Sequence, residues 1–321
     1  MDPLDPDRPE AQRMRFEDPV PEPRLGLLGD AEHAFALAAI EAGLRAAALE
    51  ALQAKAAAPR LRSLPIVSEG ETRRRDALGR FFELGVDGLV LRPHVAETRF
   101  QSMLDALVND GTALVFLFEA HPEAASLAVL RVNEAELGRR AAQTVLAALP
   151  TGAPVKVGVW ATMGGDLAQA SRLVAAVETL KGADAVADVV LVESAPEPGS
   201  AVEALARVTQ EDLDDEIAAW VFLGPWPLLG GDDLPWPAGE KFVVSVGARP
   251  DLLPAMQAGS VDALVAPDFF GWGRLAGRIL LGHLVEAVEA PDESGDLQGP
   301  NQVIRAGEFD VTLERWGQWL R

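Results

Sequence analysis

The sequence predicts an α/β protein built as two doubly wound parallel-sheet lobes, and three observations carry that prediction. Short unbroken apolar runs such as VDGLVL (86–91) and ALVFLF (113–118) alternate with helical patterns along most of the chain. Strands buried on both faces read this way, and their alternation with helices marks a parallel sheet covered on both sides. The alternation restarts near Val155. One unit also occurs twice: LRVNEAELGRRAA (130–142) and VDALVAPDFFGWGRLAGRIL (261–280) each pass from an apolar strand to a helix start with small residues. Two such units, roughly half a chain apart, suggest similar lobes closing on a ligand.

Element by element, Arg24–Leu28 reads as the first strand and the Ala-rich stretch Ala34–Lys55 as a helix. Leu61–Val67 and Gly88–Leu91 are strands, the latter entered by the turn Gly85-Val86-Asp87; Thr72–Leu84 and Thr98–Val108 are helices. Ala113–Phe118 is a fourth strand, and Leu127–Val132 a fifth that crosses towards a second lobe. Helix Glu134–Leu149 follows. The second series is strand Val155–Ala161, helix Leu167–Leu180, strand Val186–Glu193 and helix Ala201–Thr209. It continues with strands Ala218–Leu223 and Phe242–Val246, helix Leu252–Ala258, strand Asp262–Ala266 and the long helix Gly271–Ala290. PDESGDLQGP (291–300) reads as a linker before a short closing segment.

Composition narrows the function. The 321 residues suffice for two domains, and 49% hydrophobic content for a sizeable core. There is no cysteine, which excludes disulfides, thiolate nucleophiles and sulfur-built zinc sites. A net charge of −21 opposes nucleic-acid binding. No apolar run approaches the roughly 18 residues of a membrane span, so no direct membrane insertion is expected. The opening residues 1–23 are Pro-rich and acidic and read as a disordered tail. No export signal is visible, and an extracytoplasmic location implies that one was removed.

Several stretches resemble the type 1 periplasmic binding proteins, the ribose-binding-protein-like sugar receptors that share a fold with lac-repressor-type ligand domains. VDGLVLRP (86–93) is similar to the family's "VDGIIVSP" strand. NEAELGRRAA (133–142) resembles its crossover helix, and ARPDLLPAMQAGSVDALVAPD (248–268) its segment of the form "TPxxxxAIxxGxxxATVAQD". The resemblance implies a multi-strand hinge crossed near Arg131, Pro267 and Pro300. The first lobe would then comprise 24–131 with 268–299, and the second 132–267 with 300–321.

Ligands of open parallel sheets bind beyond the carboxyl ends of the strands. Mapped through the resemblance, the aromatic pair that sandwiches a sugar falls on Glu32 and His33. The Asp-Arg pair after the fourth strand falls on Phe118 and Glu119, and a binding arginine of the first second-lobe helix on Arg172. The position of the family's Asn-Asp becomes Pro225-Trp226, and that of its Gln becomes Pro267, next to Asp268. Trp160 and Phe269 add aromatic surface at strand ends. Sugars need many hydrogen-bond partners, and this set is poor in them. Either the ligand is less polar than a free pentose or hexose, or the correspondence slips locally, or the cleft holds no small molecule.

Catalytic signatures are missing: no GxSxG, no HExxH and no spaced metal-ligand set. Met163-Gly164-Gly165-Asp166 lacks the Lys-Ser/Thr of a phosphate loop and reads as a plain turn. A non-enzymatic binder with no cofactor is expected. Its class would be the solute-binding protein of an ABC-type uptake system, taking a sugar-like ligand and docking on a membrane permease. The alternative is a periplasmic sensor that signals to a membrane receptor or kinase.

Overall fold

The computed structural model describes residues 21–30, 34–54, 56–66, 71–93, 98–122, 124–211, 217–229, 234–285 and 295–319. The chain opens with β1 (Arg24–Asp30), α1 (Ala34–Gln53), β2 (Arg60–Ile66), α2 (Glu71–Leu84), β3 (Gly88–Leu91), α3 (Thr98–Asn109), β4 (Ala113–Leu117) and β5 (Ala128–Arg131). It continues through α4 (Glu134–Leu146), β6 (Val155–Thr162), α5 (Leu167–Lys181), β7 (Val186–Ser194), α6 (Pro198–Glu211) and β8 (Ile217–Phe222). Next come α7 (Trp226–Leu229), β9 (Phe242–Val246), α8 (Leu253–Gln257), β10 (Ala263–Pro267) and α9 (Phe269–Leu284). β11 (Gly295–Gln298), β12 (Asn301–Arg305) and α10 (Phe309–Trp319) close the described chain.

These strands build two six-stranded sheets, ordered β11-β5-β4-β3-β1-β2 and β12-β10-β9-β8-β6-β7. The two-lobed α/β architecture expected from the sequence is therefore present. Both sheets wind outward in two directions, from β1 and from β6. Each thus has a switch point, between β1 and β3 and between β6 and β8, where open sheets bind ligands.

Four details differ from the sequence reading. The stretch 291–300 is not all linker: β11 pairs in parallel with β5 and closes the edge of the first sheet. The second sheet is mixed, because β12 runs antiparallel to β10. β5 does not cross over but stays in the first sheet, paired with β4 and β11, and the crossing follows it. Lastly, Ala58 N–H donates to Pro21 O (2.7 Å) and Arg60 N–H to Pro23 O (2.8 Å), so the expected tail is anchored from Pro21 onward.

The side chains of each strand alternate between two helix layers, as a pleated strand requires. On β3, Val90 joins the layer under α1 and α9, while Leu89 and Leu91 join that under α2 and α3. In the second sheet, Val157 and Val159 face α4 and α5, whereas Trp160, Trp220 and Phe222 pack with α6, α8 and Trp316 of α10. All three of those aromatic residues are fully buried.

The repeated unit is one structural device used in both lobes. Asn133 Oδ1 caps α4 by accepting the Glu136 N–H (2.9 Å), and Asp268 Oδ1 caps α9 by accepting the Gly271 N–H (3.0 Å). Five residues beyond each cap stands a glycine, Gly138 or Gly273. At both, a neighbouring helix backbone comes within methyl-group distance. A Cβ on Gly138 would lie 2.9 Å from the Arg172 carbonyl carbon, and one on Gly273 2.7 Å from that of Ile40. Only a residue without Cβ lets α4 meet α5, and α9 meet α1, this closely.

Three backbone segments join the lobes side by side. Gly299 N–H donates to Arg131 O (2.9 Å), and Asp268 N–H donates to Pro300 O (2.8 Å). Trp272 Nε1–H adds a second bond to Pro300 O (3.0 Å), and Arg140 Nη1 reaches Asn301 O (3.2 Å). Gly299 is obligatory here, since a Cβ would press into the Trp272 indole.

Candidate functional site

A cavity of about 420 Å³ opens between the lobes. Phe35 and Ala36 at the start of α1 and Phe269 at the start of α9 line it from one side, and Ala248, Arg249, Pro250 and Asp251 beyond β9 from the other. Arg249 and Asp251 neutralise each other through two bonds, Nε to Oδ1 at 3.0 Å and Nη2 to Oδ2 at 2.6 Å. A smaller cavity of about 200 Å³ lies at the switch point of the second sheet, bounded by Thr162, Gly164, Gly165, Gln169, Glu193 and Leu223 among others.

The first-lobe strand ends carry a compact aromatic group. Phe118, directly after β4, contacts Trp272 (ring centroids 5.3 Å) and Phe269 (6.1 Å), and Phe269 contacts Trp272 (5.6 Å). Arg92, directly after β3, lies 5.7 Å over the Phe118 ring while its Nε donates to Glu119 Oε1 (3.2 Å). Phe118 has φ +70°, the one positive φ outside glycine among the described residues. Glu119 N–H bonds back to Leu117 O (2.9 Å), which makes Phe118 the centre of a γ-turn of the strained hand. A bulky residue held in this conformation costs roughly 1–3 kcal/mol, and such strain clusters at functional sites.

Phe118, Glu119, Asp268 and Phe269 of the expected site therefore converge at the first-lobe wall and hinge, although Asp268 uses one carboxylate oxygen on its helix cap. Glu32 and His33 lie outside the described residues, as does His94. Trp226 sits on α7, half-buried against the core of the second lobe. Trp160 is a correction: it is fully buried and its Nε1–H donates to Ser194 Oγ (3.0 Å), so its ring is core, not cleft wall. Arg172 is also committed to structure. Its Nε donates to Glu134 Oε2 (2.8 Å) and its Nη1 to Leu223 O (2.7 Å), which ties α5 to α4 and to the end of β8. The strand-end rule missed Phe35, Arg92, Arg249 and Asp251. Arg92 directly follows β3, and Arg249 and Asp251 follow β9 by a few residues, so these three lie within its reach.

Among the described residues, no group of three or more His, Asp or Glu side chains is placed to hold a metal, and no helix is long and apolar enough to cross a membrane. Residues 70–286 match the family model of the periplasmic binding protein domain. The chain belongs to this family. Solved structures agree at the level of fold. An arabinose-binding protein from Geobacillus stearothermophilus superposes with a TM-score of 0.68 at 15% identity, covering 91% of this chain and 99% of that one. A sugar-binding protein of a sugar ABC transporter from Bacillus halodurans gives 0.67 at 16% identity, covering 90% and 99%. A periplasmic ribose ABC transporter protein from Conexibacter woesei gives 0.64 at 18% identity, covering 94% and 98%. None of the curated protein sequences compared with the chain matches it.

Proposed function

We propose that this periplasmic binding protein is the solute-binding component of an ABC-type uptake system and takes a small sugar-like or less polar organic ligand between its lobes. The carrying observation is the 420 Å³ cavity, because its walls come from both lobes. A ligand touching both walls makes its full set of contacts only when they approach, so its binding free energy favours the closed form. The lobes would move about the segments near Arg131, Pro267 and Pro300, as the family's hinge does. The solved relatives named for ribose and arabinose support the sugar-like class. The closed form would then be presented to a membrane permease, outside the cytoplasm, and no bond is made or broken.

The lining sets the ligand's character. Phe35 and Phe269 offer aromatic faces to an apolar ring surface, and Arg249 and Asp251 offer hydrogen bonds to a polar edge; the Arg92–Glu119 pair stands beside Phe118, which contacts Phe269. Both charged pairs are internally neutral, which suits an uncharged ligand.

A thermal-shift panel of pentoses, hexoses, polyols, nucleosides and aromatic acids tests this. A ligand present at 100 times its Kd should stabilise the protein by about 2.7 kcal/mol. Phe269→Ala and Arg249→Ala should each reduce the shift. A panel without a single response, or variants that respond like the parent, would refute the site.

A further inference from the structure

We propose that Phe35 and Trp316 form a latch that holds the two lobes together before any ligand arrives; it rests on the cleft being the binding site. Phe35 is the second residue of α1, a helix that packs against α9 and the first sheet. Yet its ring is seated on the core of the second lobe. It meets the Trp316 indole edge-to-face, with centroids 4.5 Å apart and planes at 62°. Trp316 in turn is only 2% exposed, and α10 packs on α8. This aromatic contact, within the packing of α10 on α1, thus joins the two lobes.

The same Phe35 ring lines the 420 Å³ cavity, and Trp316 does not. Rotation about the three crossings to open the cleft must draw Phe35 off the indole and wet both faces. The latch therefore raises the closed fraction of the empty protein. Apparent affinity scales with the binding-competent fraction, so the latch tunes ligand affinity without Trp316 touching the ligand.

The absence of cysteine allows two unique labels. Spin labels at Glu83→Cys on α2 and Glu178→Cys on α5, both exposed, report the distance between lobes in the ligand-free protein. The parent should give a dominant short distance. Phe35→Ala and Trp316→Ala should each raise the ratio of long to short distances roughly 3- to 10-fold, the size of a lost aromatic pair. Because Trp316 is buried, its variant can unfold. Phe35→Ala, at the rim, then decides alone, with circular dichroism verifying the fold. A folded Phe35→Ala variant with the parent's distance distribution would overturn the latch. No ligand enters this measurement. If D-ribose or L-arabinose stabilises the parent while Phe35→Ala leaves the distances unchanged, the latch alone falls. If neither sugar nor any other panel member binds while the distances lengthen, the contact between the lobes stands, and the binding reading falls together with the latch's effect on affinity.

Discussion

Replacing Gly273 with alanine probes one of the closest contacts in the first lobe. The added Cβ would lie 2.7 Å from the Ile40 carbonyl carbon and 2.9 Å from its Cα. Carbon atoms pack best at about 3.5–4.0 Å, so α1 and α9 must part by about 1 Å. The obstacle is backbone, which no rotamer change relieves, and overpacking of this kind costs about 1–3 kcal/mol. Leu37, Ile40 and Leu44 of α1 belong to the core shared with α9, and the parting loosens it. Alanine's helix propensity returns about 1 kcal/mol. Taking the upper end of the steric range, the net loss is about 2 kcal/mol, or a fall in Tm of about 4–8 °C for a lobe of this size. Gly317 in α10 is the control, since a Cβ there meets nothing within 4 Å. Gly317→Ala should stabilise by up to about 1 kcal/mol. Urea denaturation of the two variants beside the parent measures both. A Gly273→Ala variant as stable as Gly317→Ala would refute the close-approach argument.

Two further variants test individual groups. Burial pushes the Asp262 carboxyl above its usual pKa, and the Val243 N–H bond (2.8 Å) only partly offsets this. A raised carboxyl favours the fold below the unfolded value near 3.8 and loses that contribution as pH rises through the folded value. Asp262→Asn keeps an acceptor and should gain Tm relative to the parent between pH 3.5 and pH 7; a pH-independent gap would contradict the assignment. Arg172→Lys cannot reach Glu134 and Leu223 O together, and losing one charge-assisted bond costs about 1.5–3 kcal/mol. A panel ligand should still shift its melting temperature, and loss of that shift at unchanged stability would restore Arg172 to the ligand site.

The fold was largely legible because its strands are unbroken apolar runs. Gly88–Leu91 and Ala113–Leu117 are buried at every position, and the caps Asn133 and Asp268 fix where the helices begin. β11 escaped because GDLQ at an exposed edge carries one buried residue, Leu297, and its partner β5 is distant in sequence. Site residues were harder to read. Trp160 lies near a strand end, as a ligand residue would, but the pleat turns it into the core towards Ser194. Phe35, two residues beyond the expected His33, lines the cleft, and nothing in a strand-end count singles out a residue already inside α1. Arg172 looked free to meet a ligand because its partners, Glu134 and the Leu223 carbonyl, are far away in the chain.

The pairing of β11 with β5, and of α9 with α1, has a consequence for biosynthesis. The amino-terminal half cannot complete its own sheet: it awaits a strand ending at Gln298 and a helix that begins at Phe269. The other sheet is finished only by β12, ending at Arg305. Both halves thus stay unfinished until Arg305 has left the ribosome, and a nascent chain released before that point would leave two sheets with unpaired edges at once.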